Sequence, residues 1–408
     1  KSLVGTVTYN GVVAEENNVK IPYKLATAEG DLTSGSTIIT QTSGKSTEEK
    51  TSHFGAVATE KPKYSGYYTD TATFSFDEVG VTNAFFEQIK ANNYTLNIGK
   101  TKPEYVVAKF NKDFTKVTIS KNGNDSDGLM KNDAFAYVNM EGITEHHLQQ
   151  TLKEAEVLDG VKSIGNLTFY SCLHLTDVNI SNSVISIGRD AFSACDKLVN
   201  VNIPNGLTDI GIRAFESCIS LKNIIIPSSV TNIGNSAFNG CYSLKSIEVA
   251  EDNSNYSSED GVLFNKNKSN LICCPGGKAG EYTIPDFVTS MSSGAFSNCR
   301  SITKVVIPNT ITSIPYGAFT QCYALTDVVI PNSVTSIEDS AFKQCSSLAN
   351  ITIPSSVTNI GTDAFNDTYK KQEGEPRNNK NRYITLFVTT GSYAETWAKT
   401  KGCKFVAQ

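Results

Sequence analysis

The 408-residue chain lacks the residue patterns of several functional classes. It has four histidines, and no H-E-x-x-H, G-x-S-x-G, Walker-A or G-x-G-x-x-G pattern occurs. Only five of its 36 basic residues are arginine and the net charge is −5, so there is no basic stripe for nucleic acid. No apolar run approaches the roughly 20 residues that span a bilayer. We therefore expect no enzyme activity, cofactor, metal, nucleic-acid partner or membrane-spanning segment.

What the chain does contain is a 23-residue repeat. Seven of its ten cysteines follow this spacing in two sets: Cys172, Cys195, Cys218 and Cys241, then Cys299, Cys322 and Cys345. Eight phenylalanines have the same period, interrupted once: Phe169, Phe192, Phe215, Phe238, Phe296, Phe319, Phe342 and Phe365. A fixed period of this length is typical of a solenoid, in which each unit buries its apolar side against the next copy. The interruption predicts an insertion near Glu251–Tyr282, a hairpin that protrudes from the stack.

The segment Cys322–Gln344, CYALTDVVIPNSVTSIEDSAFKQ, shows what one unit contains. Alternating Val328 and Ile330 predict a strand that points these side chains into a core. A second short segment ends at Ile337, and Ala341-Phe342 predict a helical turn. Stacked copies would form a parallel sheet on one side, so the predicted fold class is an α/β solenoid.

The repeated cysteines predict a column of free thiols. Stacking places equivalent residues about 4.8 Å apart with Cβ atoms pointing the same way. A disulfide needs Cβ atoms about 3.8 Å apart and a twisted torsion, which parallel neighbours fit poorly. Free cysteine is a small hydrophobe that is readily buried. We therefore favour buried, reduced thiols over disulfides or metal ligands.

Residues 1–121 differ from the repeats. Short runs rich in Thr, Val, Tyr and Phe alternate with turn residues, which predicts an all-β domain, an immunoglobulin-like sandwich. Asn10-Gly11 predicts a hairpin within Thr6–Val13. The segment Asn83–Ala91 predicts a short helix.

The rest of the chain divides by composition and period. Residues 122–160 are expected to form a linker followed by a capping helix at Thr144–Val157. Residues 161–382 hold the repeats, and residues 383–408 form a C-terminal cap.

The repeat pattern L-x-x-V-x-I-P-x-S-V-T-x-I-G-x-x-A-F-x-x-C resembles the BspA-like, treponemal-type leucine-rich repeats of bacterial and some protist surface proteins. The resemblance covers about 161–408 and does not extend to residues 1–130. It implies a leucine-rich-repeat solenoid, a right-handed superhelix with a parallel sheet on one side. It also implies a secreted or cell-surface protein that adheres to host proteins, matrix components or other cells, without a shared catalytic motif. The chain begins at Lys1 without a signal peptide, so we expect an export signal or anchor to have been removed.

Residues between the inward-pointing strand positions are the candidate partner-binding residues. By alternation they point out of the sheet: Asn179, Asn202, Ile225, Glu248, Lys304, Val306, Asp327, Val329 and Thr352. Apolar residues near one another on such a face indicate an interaction site. The alternative explanation is strand propensity alone, because β-branched residues suit any strand.

A second hypothesis is a carbohydrate-binding module in the N-terminal domain. Tyr64, Tyr67 and Tyr68 would then be the exposed aromatic residues that contact a glycan. Two leading functions therefore remain, adhesion to a protein by the solenoid and glycan binding by the N-terminal domain.

Four local features suggest chemistry but have simpler interpretations. The Asp125-x-Asp127 segment lacks the remaining ligands of a calcium loop, and the adjacent His146-His147 would diverge on a helix. Cys273-Cys274 is expected to pack in the insertion rather than act in redox chemistry. The acidic pairs Glu251-Asp252 and Glu259-Asp260 are expected to be solvated rather than to bind calcium.

Overall fold

The structure is a computed structural model that describes seven strands within residues 2–77, residues 90–134 with short gaps, and residues 147–366 and 384–408. The chain divides into two units, Lys1–Ala91 and Asn92–Gln408. The composition predicted a boundary at residue 121, whereas the boundary between the two units lies between residues 91 and 92.

The first unit is built from antiparallel strands. They are β1 (Ser2–Thr8), β2 (Val12–Ala14), β3 (Lys20–Thr27), β4 (Gly30–Leu32), β5 (Ser36–Thr42), β6 (Gly55–Ala58) and β7 (Thr73–Asp77). β1 lies between β5 and β7, whereas β3 pairs with β2, β4 and β6. The predicted hairpin across Asn10-Gly11 is wrong, because both edges of β1 are occupied by later strands and β2 pairs with β3. The immunoglobulin-like topology stays a prediction, and the helix predicted at Asn83–Ala91 lies, apart from Lys90, outside the described residues.

The second unit starts with three antiparallel strands that open the main sheet of the solenoid. They are β8 (Thr95–Asn97), β9 (Val106–Phe110) and β10 (Lys116–Lys121). β10 then pairs in parallel with β11 (Glu154–Val157), the first strand of the stack. The predicted capping helix Thr144–Val157 is therefore largely wrong: α1 covers only His147–Thr151. The sequence EAEV alternates exposed and buried residues as a strand does, and pairing on both edges of β11 favours the extended form.

Each repeat contributes one strand to the main sheet and one two-residue strand to a second ladder. The main strands after β11 are β13 (Asp177–Ile180), β15 (Asn200–Val201), β17 (Asn223–Ile226), β19 (Ser246–Val249), β25 (Ser301–Val306), β27 (Asp327–Val329) and β29 (Asn350–Ile353). The second-ladder strands are β12 (Ser163–Ile164), β14 (Ser186–Ile187), β16 (Asp209–Ile210), β18 (Asn232–Ile233), β24 (Ser290–Met291), β26 (Ser313–Ile314), β28 (Ser336–Ile337) and β30 (Asn359–Ile360). Where successive strands of either series pair, they pair in parallel, which confirms the predicted parallel solenoid.

The side of the stack that carries phenylalanine is made of turns rather than the predicted helical segments. In the turn around Phe319, the backbone N–H of that residue donates to the carbonyl of Ala341 in the next repeat (2.7 Å). The N–H groups of Gly317 and Gln321 donate forward in the same way. These groups are used between repeats, so they cannot form the internal bonds of a helix. Among the described residues, helices occur only near the two ends of the solenoid.

Two columns of side chains fill the core. Within the two runs of repeats, successive phenylalanine rings stack with centroids 5.1–5.9 Å apart. The seven repeated cysteines are fully buried, as predicted, and all ten cysteines are free thiols. Five of these thiols, those of Cys195, Cys218, Cys241, Cys322 and Cys345, lie 3.0–3.1 Å from the carbonyl oxygen of the phenylalanine 26 residues earlier. Each of these thiols therefore donates a hydrogen bond that ties one repeat to the one before it.

The insertion is part of the stack. It contains β20 (Tyr256–Glu259), β21 (Val262–Asn265), β22 (Asn270–Cys273) and β23 (Ala279–Thr283). β21 and β22 form the predicted hairpin, but β22 also pairs in parallel with β24, and β23 pairs with β25. Side chains on β21 and β22 are fully buried, among them Phe264 and Leu271. The predicted protrusion is therefore wrong, because the apolar side chains of the insertion are buried in the core of the stack.

The predicted C-terminal cap consists of a strand, a helix and a strand. These are β31 (Thr385–Val388), α2 (Tyr393–Lys401) and β32 (Lys404–Ala407). Ser392 caps the start of α2 by accepting from the N–H of Glu395 (3.2 Å), and Gly402 ends it in the left-handed conformation. Trp397 on α2 packs edge-on against Phe365 and closes the phenylalanine column.

We expect the thiol–carbonyl bonds to be measurable by substitution at Cys218. Cys218→Ser keeps a donor for the Phe192 carbonyl and should lower the free energy of unfolding by about 1 kcal/mol. Cys218→Ala leaves that carbonyl unpaired and adds a small void, so it should cost about 2 kcal/mol. Urea unfolding in the presence of a reductant measures both. A serine variant less stable than the alanine variant would show that the thiol is not acting as a donor.

The buried thiols should also make stability depend on alkaline pH. Burial raises the pKa of Cys172 from 9.0 to about 12. Above about pH 9 the unfolded thiol loses its proton while the folded thiol keeps it, so stability falls as pH rises toward 12. At about pH 10 this difference amounts to about 1.4 kcal/mol. Serine does not titrate in this range, so Cys172→Ser should lose less unfolding free energy between about pH 7 and about pH 10 than the parent chain. Equal losses would contradict the prediction.

Candidate binding surface

The main sheet has one face that points away from the core. In β13, Val178 and Ile180 are buried whereas Asp177 and Asn179 are exposed. β17 and β29 repeat this alternation. All nine predicted binding residues lie on this outward face: Asn179, Asn202, Ile225, Glu248, Asp327, Val329 and Thr352 are exposed, and Lys304 and Val306 are half-buried.

The N-terminal half of this face is polar. Ile225 has 61% of its surface exposed, but it pairs in register with Glu248 and follows Asn202 by one repeat. Asn179 pairs in register with Glu156 of β11. Ile225 is therefore an isolated apolar residue, which is common on protein surfaces and does not by itself indicate a site.

The C-terminal half carries a row of outward-facing residues that we call the apolar ridge. It consists of Val306, Val329, Thr352, Phe387 and Val406. Val306 is the register partner of Val329, Thr352 of Phe387, and Phe387 of Val406, while Thr352 follows Val329 by one repeat. Val329 is 44% exposed, Val406 is 42% exposed and Phe387 is half-buried. The structure thus places four apolar side chains and one threonine methyl group on five successive strands.

A charged row runs beside the apolar ridge. Glu281, Lys304 and Asp327 are successive register partners on β23, β25 and β27. The Lys304 Nζ lies 3.8 Å from a carboxylate oxygen of each neighbour. Exposed pairs of this kind contribute little to stability. The row therefore adds little to the stability of the sheet.

Two ridge residues were not predicted. Phe387 and Val406 lie in the C-terminal cap, which does not follow the 23-residue period, so counting from earlier repeats does not reach them. Phe387 could have been found from strand alternation alone. In the run Leu386–Phe387–Val388, the middle residue points to the opposite face from its two neighbours. The pairing of β29 with β31 and of β31 with β32 extends the row.

The other features singled out in the sequence do not assemble into a reactive site. Cys274 is buried and Cys273 is half-buried. Burial raises the pKa of Cys273 to about 12, and the neighbouring Cys274 adds a smaller effect in the same direction. That direction is the opposite of what a reactive thiolate needs. Glu259 and Asp260 pair with the ammonium groups of Lys268 and Lys278 at 2.6 and 2.7 Å.

Neither a metal-binding cluster nor a membrane-spanning helix occurs among the described residues. No group of three or more His, Cys, Asp or Glu side chains there is placed to hold a metal ion. In the same part of the chain no helix has the length and apolarity needed to cross a membrane. Asp125 and the side chains of His146 and His147 lie outside what the structure describes.

The stacked parallel strands, short repeat and buried columns define a leucine-rich-repeat solenoid. The family description "BspA type leucine rich repeat region" matches six copies, at residues 162–272 and 276–378, which is just over half of the chain. The chain belongs to this family, as the repeat pattern had indicated.

Several solved structures are similar to this chain. The pneumococcal vaccine antigen PcpA is similar at 18% identity with a TM-score of 0.51, covering 74% of this chain and 97% of that chain. A leucine-rich repeat protein from Eubacterium ventriosum has 24% identity, a TM-score of 0.41, and coverage of 70% and 98%. A leucine rich cell surface protein from Faecalibacterium prausnitzii has 23% identity, a TM-score of 0.41, and coverage of 72% and 95%. None of the curated proteins matches the chain.

The outward face should tolerate charge where the inward face does not. Val329→Lys changes an exposed position and should lower the free energy of unfolding by less than about 1 kcal/mol, within the range of strand propensity. Val328→Lys places an unpaired charge in the core and should cost about 3 kcal/mol or more. Thermal melts followed by circular dichroism compare the two. Similar melting temperatures for the two variants would contradict the assigned orientation of β27.

Proposed function

We propose that this chain is a non-enzymatic, extracellular or cell-surface adhesion protein that binds a partner protein through the outward face of its main sheet. The observation that carries the proposal is the apolar ridge, because its residues lie on successive strands of the stack and Val329, Thr352 and Val406 are exposed. Scattered apolar residues need no explanation, whereas apolar residues that are neighbours on an exposed face indicate a contact surface. A few residues near the centre of such a surface supply most of the binding energy.

The charges beside the ridge indicate what kind of partner would fit this surface. The row Glu281–Lys304–Asp327 carries two negative charges and one positive charge, so a partner with an apolar strip flanked by a basic residue would complement it. A host or neighbouring-cell surface protein, or a matrix component, is the class we propose. Membership of the BspA-type family supports an interaction role and a location at the cell surface.

Charge on the ridge should abolish binding. Val306→Lys combined with Val329→Lys should remove attachment of the whole chain to immobilised extracellular-matrix proteins, because two ammonium groups would have to be desolvated at the contact. Surface plasmon resonance against a panel of such proteins measures the change.

The matched control adds the same charge to the polar half of the sheet. Asn179→Lys combined with Asn202→Lys should bind as the parent chain does, which separates loss of the ridge from a general charge effect. If the ridge variant melts normally and binds at full affinity, the sheet-face proposal fails. A glycan array run on the same variants tests the second hypothesis. Glycan binding by both variants, without matrix-protein binding by the parent chain, would favour the N-terminal domain.

A further inference from the structure

Backbone N–H groups join each phenylalanine turn to the next one. Each of five turns has three such donors: the N–H of its phenylalanine, the N–H two residues before it and the N–H two residues after it. All three donate to carbonyls in the next repeat. The five turns are those around Phe169, Phe192, Phe215, Phe296 and Phe319. The distances range from 2.7 to 3.1 Å. All three donors therefore point toward the following turn, and the accepting carbonyls point back toward the preceding one.

This ladder is broken at the insertion. The equivalent donors of the fourth repeat are the N–H groups of Ser236, Phe238 and Gly240, and within residues 147–366 none of them has an acceptor. The carbonyls of Ser293 and Ser297, which open the fifth repeat, likewise receive no donor within that range. Between them only the Ala295 carbonyl is paired, with the N–H of Cys274 (2.7 Å). The second ladder is interrupted at the same place, since β18 and β22 are not neighbours.

A cavity of about 50 Å³ lies at this break. Its lining includes Ser236 and Phe238 of the fourth repeat, Ser293 and Ser297 of the fifth, and Cys273 of the insertion. Phe238 is only 2% exposed, so an unpaired N–H at this residue is costly unless something accepts from it. No lining residue carries a charge. A cavity of this size holds about three water-sized groups.

The walls present complementary hydrogen-bonding groups. The intact turns direct these N–H groups toward the following repeat and the accepting carbonyls toward the preceding one, so the cavity combines two donors, of Ser236 and Phe238, with two acceptors, the carbonyls of Ser293 and Ser297. A primary carboxamide has an oxygen that accepts two hydrogen bonds and an NH2 group that donates two. A carboxylate would satisfy the donors but would be repelled by the two carbonyl oxygens. We infer that this break in the ladder is a binding site for a primary carboxamide, the side chain of an asparagine or glutamine of a partner protein.

This site is tested with acetamide on the whole chain, using acetate as its charged isostere. In a spectrum of protein labelled with 15N-phenylalanine, the Phe238 amide signal should shift saturably with acetamide. The amides of Phe215 and Phe319 already donate to carbonyls and serve as internal controls, so they should not shift. Acetate should bind at least about tenfold more weakly, a difference of about 1.4 kcal/mol.

Two variants assign the effect to the cavity. Ser297→Leu should fill it and remove the acetamide response of Phe238. Lys343→Leu introduces leucine at the equivalent position two repeats later, in a turn whose N–H at Phe342 is paired, and should keep the response. The proposal is overturned if Phe238 shifts no more than the control amides, which would mean that the donors bind water only. It is also overturned if acetate and acetamide act equally, or if Ser297→Leu retains the response.

Discussion

Every turn of this solenoid depends on its neighbours for hydrogen bonds. Several N–H groups of a turn donate to carbonyls of the next repeat and have no acceptor within their own repeat. A single repeat therefore has no stable form by itself. The thiol column adds a second link of the same kind, because each donating cysteine reaches back to a phenylalanine carbonyl. Stacking at a constant register is therefore the constraint from which the buried columns and the exposed face both follow.

Because each repeat needs a neighbour, the two ends of the solenoid and the insertion must supply hydrogen-bond partners in another way. At the N-terminal end, β8 to β10 extend the main sheet by antiparallel pairing, and at the C-terminal end β31, α2 and β32 close it. Trp397 ends the phenylalanine column with an edge-on contact. The insertion closes the core with Phe264 and Leu271 but leaves the turn ladder open on one side. This open side is where we infer a carboxamide site.

The same constraint leaves the outward face free to vary. Inward positions are held to Val, Ile, Leu, Phe and Cys by the columns, whereas their outward neighbours range from asparagine to valine. A row of outward apolar residues is consequently not required by the fold. Its position in the C-terminal half, next to the charged row, gives the proposed contact surface both an apolar centre and a preferred orientation.

Much of the core could be predicted, because one period governs it. The spacing of cysteine and phenylalanine identified the repeats, and alternation separated Val328 from Val329. Segments without the period were predicted less well. Glu154–Val157 was assigned to a helix, the unit boundary was placed at residue 121, and the insertion was expected to protrude. In each case the outcome depended on which strand a segment pairs with, and local propensity does not specify that.

The sequence by itself determined the solenoid, its buried columns and the outward direction of the nine candidate residues, because each of these follows from a repeat of constant length. Only the tertiary structure decided that Phe387 and Val406 extend the row begun by Val306 and Val329, and that the donors of Ser236 and Phe238 face a cavity. Both depend on the register between segments that share no period, which is set by backbone hydrogen bonds across long sequence distances.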